Sequence, residues 1–85
     1  MTLTVRKVVD LEPYATQKTD RPEDRVIIDE LKESIKEHGI LEPLILETTG
    51  PRIKRKGVKA FLIDGNHRLI AAKELGLETV PVKIV

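Results

Sequence analysis

The chain of 85 residues contains no cysteine and no tryptophan, and its aromatic residues are Tyr14 and Phe61 alone. Without thiols there is no disulfide framework, no thiolate zinc site and no thiol nucleophile. His38 and His67 are the only histidines, so a metal site would rest largely on carboxylates. A pair of aromatics is too few for a sheet that stacks RNA bases. No apolar run approaches the roughly 18 residues of a membrane span. The opening stretch, MTLTVRKVVD, sets charges inside its apolar part, unlike a signal peptide. A cytoplasmic location with no membrane partner is the expectation. Gln and Asn occur once each, as Gln17 and Asn66, beside abundant Lys and Glu; that balance leans toward a thermophilic source.

What remains fits one small domain over 1–85. Hydrophobic residues make up 40% and charged residues 34%, a composition of soluble globular domains rather than of disorder. A chain of this length buries only about 60–65% of its unfolded surface, so the core is small. The net charge of +1 is unevenly spread: residues 1–50 hold seven basic and eleven acidic side chains, and residues 51–59 hold five basic and none acidic.

The pattern reads strand, loop, helix, strand, strand, helix, strand. Residues 3–9 are β-branched and apolar around a charged pair and read as a strand. The proline-containing, polar stretch 12–24 reads as a loop. Residues 25–38 read as a helix, with Ile27, Leu31 and Ile35 at i, i+4 and i+8 and Ile28 flanking them. Asp20 or Asp24 signals its start near Pro22, and Gly39 its end. Residues 43–47 and 58–63 read as strands of a hairpin with a long basic connection. Residues 67–75 read as a second helix with Leu69, Ala72 and Leu75 on its apolar face and Ala71 close by, and 79–85 as the last strand. The expected fold is α+β, a small mixed sheet with two helices.

The segment Ile63-Asp64-Gly65-Asn66-His67-Arg68 joins a strand directly to a helix. The first turn of a helix presents unpaired N–H groups with a partial positive charge. Gly65 permits close backbone approach, Arg68 can hold phosphate oxygens through paired hydrogen bonds, and His67 can donate another. Such a turn suits a phosphate. The alternative is a helix capped by the Asp64 carboxylate, with His67 and Arg68 as surface side chains.

Two stretches, LKESIKEHGILEPLIL over 31–46 and IDGNHRLIAAKELGLETVPVKIV over 63–85, resemble the ParB/sulfiredoxin superfamily. The resemblance spans Leu31 to Val85 and implies a nucleotide at Gly65–Arg68. ParB partition proteins, which bind CTP, carry Gly-Glu-Arg-Arg-x-Arg-Ala at this turn; Gly65, Arg68 and Ala71 match. Their helix-turn-helix and dimerisation domains are missing from these 85 residues, which therefore cannot be a complete partition protein. Sulfiredoxins carry Gly-Gly-Cys-His-Arg, and Asn66 stands where their nucleophilic cysteine would be. An amide cannot attack as a thiolate does, so sulfiredoxin chemistry is excluded. ParB-like free-serine kinases carry Asp-Gly-His-His-Arg, and here Asp64, Gly65, His67 and Arg68 match. By that resemblance Asp64 is a general base, Glu23 a second catalytic carboxylate, and His67 and Arg68 hold the transferring phosphate. Superfamily members place a small hydroxyl near the nucleotide where Ser34 stands, and residues like Ile40 to Pro43 near its base. Arg21 and Arg25, at the helix start, are further phosphate candidates. His38, in a last helical turn, suits the helix dipole.

The expected ligand is a nucleotide (ATP, ADP or CTP) with magnesium. Arg52, Lys54, Arg55, Lys56 and Lys59 offer a salt-sensitive attraction for nucleic acid or an acidic partner, set against a solvated hairpin tip. Two classes of function follow. One is a nucleotide-binding regulatory module linked to DNA transactions. The other is an enzyme, either a small phosphotransferase using Asp64 or a ParB-like nuclease.

Overall fold

Residues 2–16 and 19–85 are described by the structure, a computed structural model; within them, the side chains of Arg52, Arg55 and Lys56 lie outside the description. Strand β1 (Thr2–Lys7) leads into a short helix α1 (Val8–Leu11) and a 3-10 turn (Glu12–Tyr14). The long helix α2 (Pro22–His38) follows, then β2 (Leu44–Glu47), a short helix α3 (Pro51–Lys56), β3 (Phe61–Asp64), α4 (Asn66–Glu74) and β4 (Thr79–Ile84). The sheet order is β1-β4-β2-β3. β1 runs antiparallel to β4, β4 parallel to β2, and β2 antiparallel to β3. The fold is therefore α+β with a mixed sheet, as expected.

Apolar residues of the strands alternate onto one face. Leu44, Leu46, Leu62, Val80 and Val82 meet Leu69 and Ala72 of α4 and Val8 and Leu11 of α1. Each fully buried Leu or Val contributes roughly 1.5–3 kcal/mol relative to exposure. On its other side α4 turns Ala71, with Ile70 and Leu75, toward Ile28, Leu31 and Ile35 of α2. Helix α4 is thus the middle layer, with the sheet on one side and α2 on the other. The second helix has two apolar faces where the sequence suggested one.

Several boundaries differ from the sequence expectation. The first strand ends at Lys7, because Val8 and Leu11 turn inward as core residues of α1. The stretch 12–24 is only partly loop. Helix α2 begins at Pro22, not at residue 25, since proline suits the first helical position. Its start is fixed by Asp24 from inside the first turn: Asp24 Oδ2 accepts from Arg21 N at 3.2 Å, and Asp24 N donates to Arg21 O at 3.0 Å. The buried stripe of α2 is Ile28 with Ile35; Ile27 is rotated off it and stays 41% exposed. The basic connection holds the short helix α3 rather than an open hairpin tip. No helix among the described residues is long and apolar enough to cross a membrane.

Candidate functional site

β3 ends at Asp64, Gly65 turns the chain, and α4 starts at Asn66. Gly65 adopts φ +98°, and a Cβ there would meet Leu44 Cγ at 2.6 Å. The turn is therefore pressed onto β2, and only glycine fits both the backbone and the space. The first α4 hydrogen bond runs from Leu69 N to Gly65 O at 2.9 Å. The N–H groups of Asn66, His67 and Arg68 precede it, and no side chain caps this end. Asp64 does not cap it: its Oδ2 instead accepts from Arg68 Nη2 at 3.2 Å. That removes the capping alternative.

The helix end opens into a cavity of about 190 Å³ lined by Ile27, Leu31, Ile63 and the turn residues Asp64 to Arg68. Leu31 and Arg68 also line a neighbouring groove of about 210 Å³ with Ser34, Ile35, Gly39, Ile40, Leu41 and Glu42. Ser34 and the Ile40–Glu42 loop thus share a groove with Arg68 of the turn. The signal for Ile27 as a lining residue is its exposure, which the helical period alone did not show.

His67 is tied across the helices. Its Nε2 lies 2.8 Å from Oδ1 of Asp24, whose side chain is only 3% exposed. Arg21 Nε donates to the other Asp24 oxygen at 3.2 Å. The His67 hydrogen bond is the main cause that holds the Asp24 carboxyl below the usual carboxylate range, against the opposing effect of burial, with Arg21 adding to it. Asp24 is the site residue that the sequence reading treated only as a cap. Its signal was an acidic residue at the third position of a helix, which capping also explains.

Arg68 faces inward more than a surface ligand would. Nη1 donates to the carbonyls of Glu42 at 3.2 Å and Pro43 at 2.9 Å, and Nη2 to Asp64. It straps the 42–43 loop to the turn. Asn66 is 4% exposed. Its Oδ1 accepts from Thr16 N at 3.0 Å, and its Nδ2 donates to Leu62 O at 3.4 Å. The Asn66 side chain is therefore held by the interior, although the residue borders the cavity.

Other candidates are not brought together. Glu23 is largely exposed and lies 3.6 Å from Arg21, outside the cavity lining. Arg21 reaches the site through Asp24. Arg25 is committed elsewhere, pairing with Asp29 and with both carboxylate oxygens of Glu74. His38 stays exposed near Glu37, at 3.4 Å. Lys54 and Lys59 are exposed; Arg52, Arg55 and Lys56 lie outside the described side chains. No group of three or more His, Asp or Glu among the described residues is gathered as a metal site.

A four-stranded mixed sheet with a glycine turn feeding an uncapped helix end defines a sulfiredoxin-like architecture. The chain belongs to the family described as ParB N-terminal domain, whose profile matches residues 3–85. The match thus reaches well beyond the Leu31 start of the sequence resemblance. Stage 0 sporulation protein J of Bacillus subtilis (strain 168) is 41% identical over 76 residues, which cover 88% of this chain and 24% of that protein. The chain therefore spans about a quarter of this relative. Sulfiredoxin from Arabidopsis thaliana superposes with a TM-score of 0.69 at 21% identity, covering 100% of this chain and 85% of that one. The C-terminally truncated chromosome-partitioning protein ParB from Caulobacter crescentus, complexed with CTP-gamma-S, gives 0.65 at 22% identity, covering 100% and 44%.

Proposed function

We propose that this domain binds a nucleotide and serves as a regulatory module in a DNA transaction, with the phosphates at the Gly65–Arg68 turn. The observation that carries this reading is the uncapped start of α4, whose N–H groups precede the first helical hydrogen bond beside a cavity lined by His67 and Arg68. Oriented N–H groups and the helix dipole favour an anion there. Neither neighbouring space alone reaches the roughly 300 Å³ of a small-ligand pocket, but the two together do. Phosphates would lie at the turn, with the base against Ser34 and the Ile40–Glu42 loop.

CTP is the first candidate, by the likeness to a ParB complexed with CTP-gamma-S. ATP and ADP are its competitors, because Asn66, His67 and Ile70 replace the glutamate and two arginines of the ParB turn. A role beside DNA is drawn from the likeness to a chromosome-partitioning protein. The exposed Lys54 and Lys59 supply positive charge for a phosphate backbone.

The test is a thermal-shift and calorimetric screen with CTP, ATP, ADP and GTP, each with magnesium, on wild type and His67→Ala. One nucleotide is expected to stabilise the wild type, since ligand binding to the folded state raises its stability. The shift should shrink in the variant. A folded wild type that responds to none of the four overturns the reading.

A further inference from the structure

On the phosphate reading of the α4 turn, we propose that Asp24 is a positioning residue that fixes the proton of neutral His67 on Nε2, so that an anion is held there only by the imidazolium and binding takes up a proton. The buried Asp24 carboxylate accepts from Arg21 N, Arg21 Nε and His67 Nε2. An ionised carboxylate has no donor, so His67 Nε2 must carry a proton. In the neutral ring, Nδ1 is then a bare acceptor. Nδ1 has no hydrogen-bond partner among the described residues, and the ring lines the cavity.

A phosphate oxygen is also only an acceptor. It therefore meets a lone pair when His67 is neutral and a donor when His67 is charged. The charged groups around the ring come from three elements. Asp24 on α2 touches it, Glu23 and Arg21 flank Asp24, and Asp64 from β3 shares the cavity with Arg68 of α4. The three carboxylates outnumber the two guanidiniums. The lowered pKa of Asp24 is consistent with this arrangement, since it keeps the acceptor ionised.

The experiment is calorimetric titration of CTP and of inorganic pyrophosphate between pH 5.5 and 8.5, in two buffers of different ionisation enthalpy. Wild type, His67→Gln and Asp24→Asn are compared. In wild type the affinity should fall severalfold as pH rises, with the heat depending on the buffer. The ligand's own terminal phosphate, with a second pKa of about 6, ionises over the same range and would strengthen binding instead. His67→Gln should lose the fall and keep only the buffer dependence that comes from the ligand's own phosphate. Asp24→Asn can donate its amide N–H to a bare Nε2, which lets the neutral ring present Nδ1–H, so its profile should flatten. A merely structural Asp24 would weaken binding equally at every pH.

Wild-type binding whose pH profile and buffer dependence match those of His67→Gln overturns this proposal and leaves the phosphate reading standing. A folded wild type that binds neither probe at any pH overturns both. Should Asp24→Asn fail to fold, the comparison of wild type with His67→Gln still decides.

Discussion

Gly65 lies so close to Leu44 that a side chain at this turn has nowhere to go: an added Cβ would stand 2.6 Å from Leu44 Cγ and 3.2 Å from its Cα. The same residue holds φ +98°, which side chains rarely tolerate. The glycine is thus required by packing before any ligand arrives. Gly65→Ala is expected to destabilise the domain by about 2–4 kcal/mol, from overpacking and backbone strain together. Urea unfolding measures this; a variant within about 0.5 kcal/mol of wild type would show that the turn moves away from β2.

Asn66 binds inward, so its role should be stability. Asn66→Ala leaves Thr16 N without its acceptor, while Leu62 O keeps the Thr16 Oγ1 bond at 2.7 Å. The loss expected is about 1–3 kcal/mol. Nucleotide affinity at a temperature where the variant remains folded should be unchanged. A variant of wild-type stability with lost binding would place the amide in the ligand site instead.

Arg68 serves as a strap as well as a candidate ligand. Arg68→Ala removes charge-assisted bonds to the carbonyls of Glu42 and Pro43, at a cost of about 1.5–3 kcal/mol. Arg68→Lys should recover little, since an ammonium lacks the fork that spans two acceptors. His67→Ala should weaken anion binding and also lower the midpoint, since it leaves the buried Asp24 carboxylate to Arg21 alone. Denaturation midpoints and affinities measured together separate these outcomes. Equal midpoints for Arg68→Ala and wild type would show that the strap carries no stability.

The α2–α4 contact should respond to acid. Arg25 is the main cause that pulls Glu74 down to about 2, with Lys32 assisting against partial burial. A depressed carboxylate binds fewer protons folded than unfolded, so its stabilising effect is full above the ordinary glutamate value near 4.5 and is lost as pH falls toward about 2. Glu74→Gln should therefore lower the midpoint at pH 7 and flatten its decline between pH 4.5 and about 2. An unchanged acid slope in the variant would assign that decline to Asp24 and Asp29, whose carboxyls are also lowered. Added salt should shrink the Arg25–Glu74 effect, because the pair is partly exposed.

The strands, the two long helices and the Asp64–Arg68 turn were legible because period, glycine and proline are local signals. The stripe of α2 was legible only approximately. Ile27 and Ile28 are both compatible with a helical face, and the position of α4 decides that Ile28 is buried and Ile27 borders the cavity. Helix α1 was not legible, since Val8 and Leu11 continue a β-branched run and become core only because α4 lies above them.

Sequence by itself determined the alternation of strand and helix, the lack of thiol chemistry and the glycine turn that aims a helix end outward. These follow from residue chemistry and local backbone preference. Tertiary structure alone decided where the side chains of the turn go. It turned Asn66 inward to Thr16, bent Arg68 onto the 42–43 carbonyls and brought Asp24 to His67 across 43 positions of sequence. Such pairings depend on how α2 and α4 pack, and no local pattern encodes that distance.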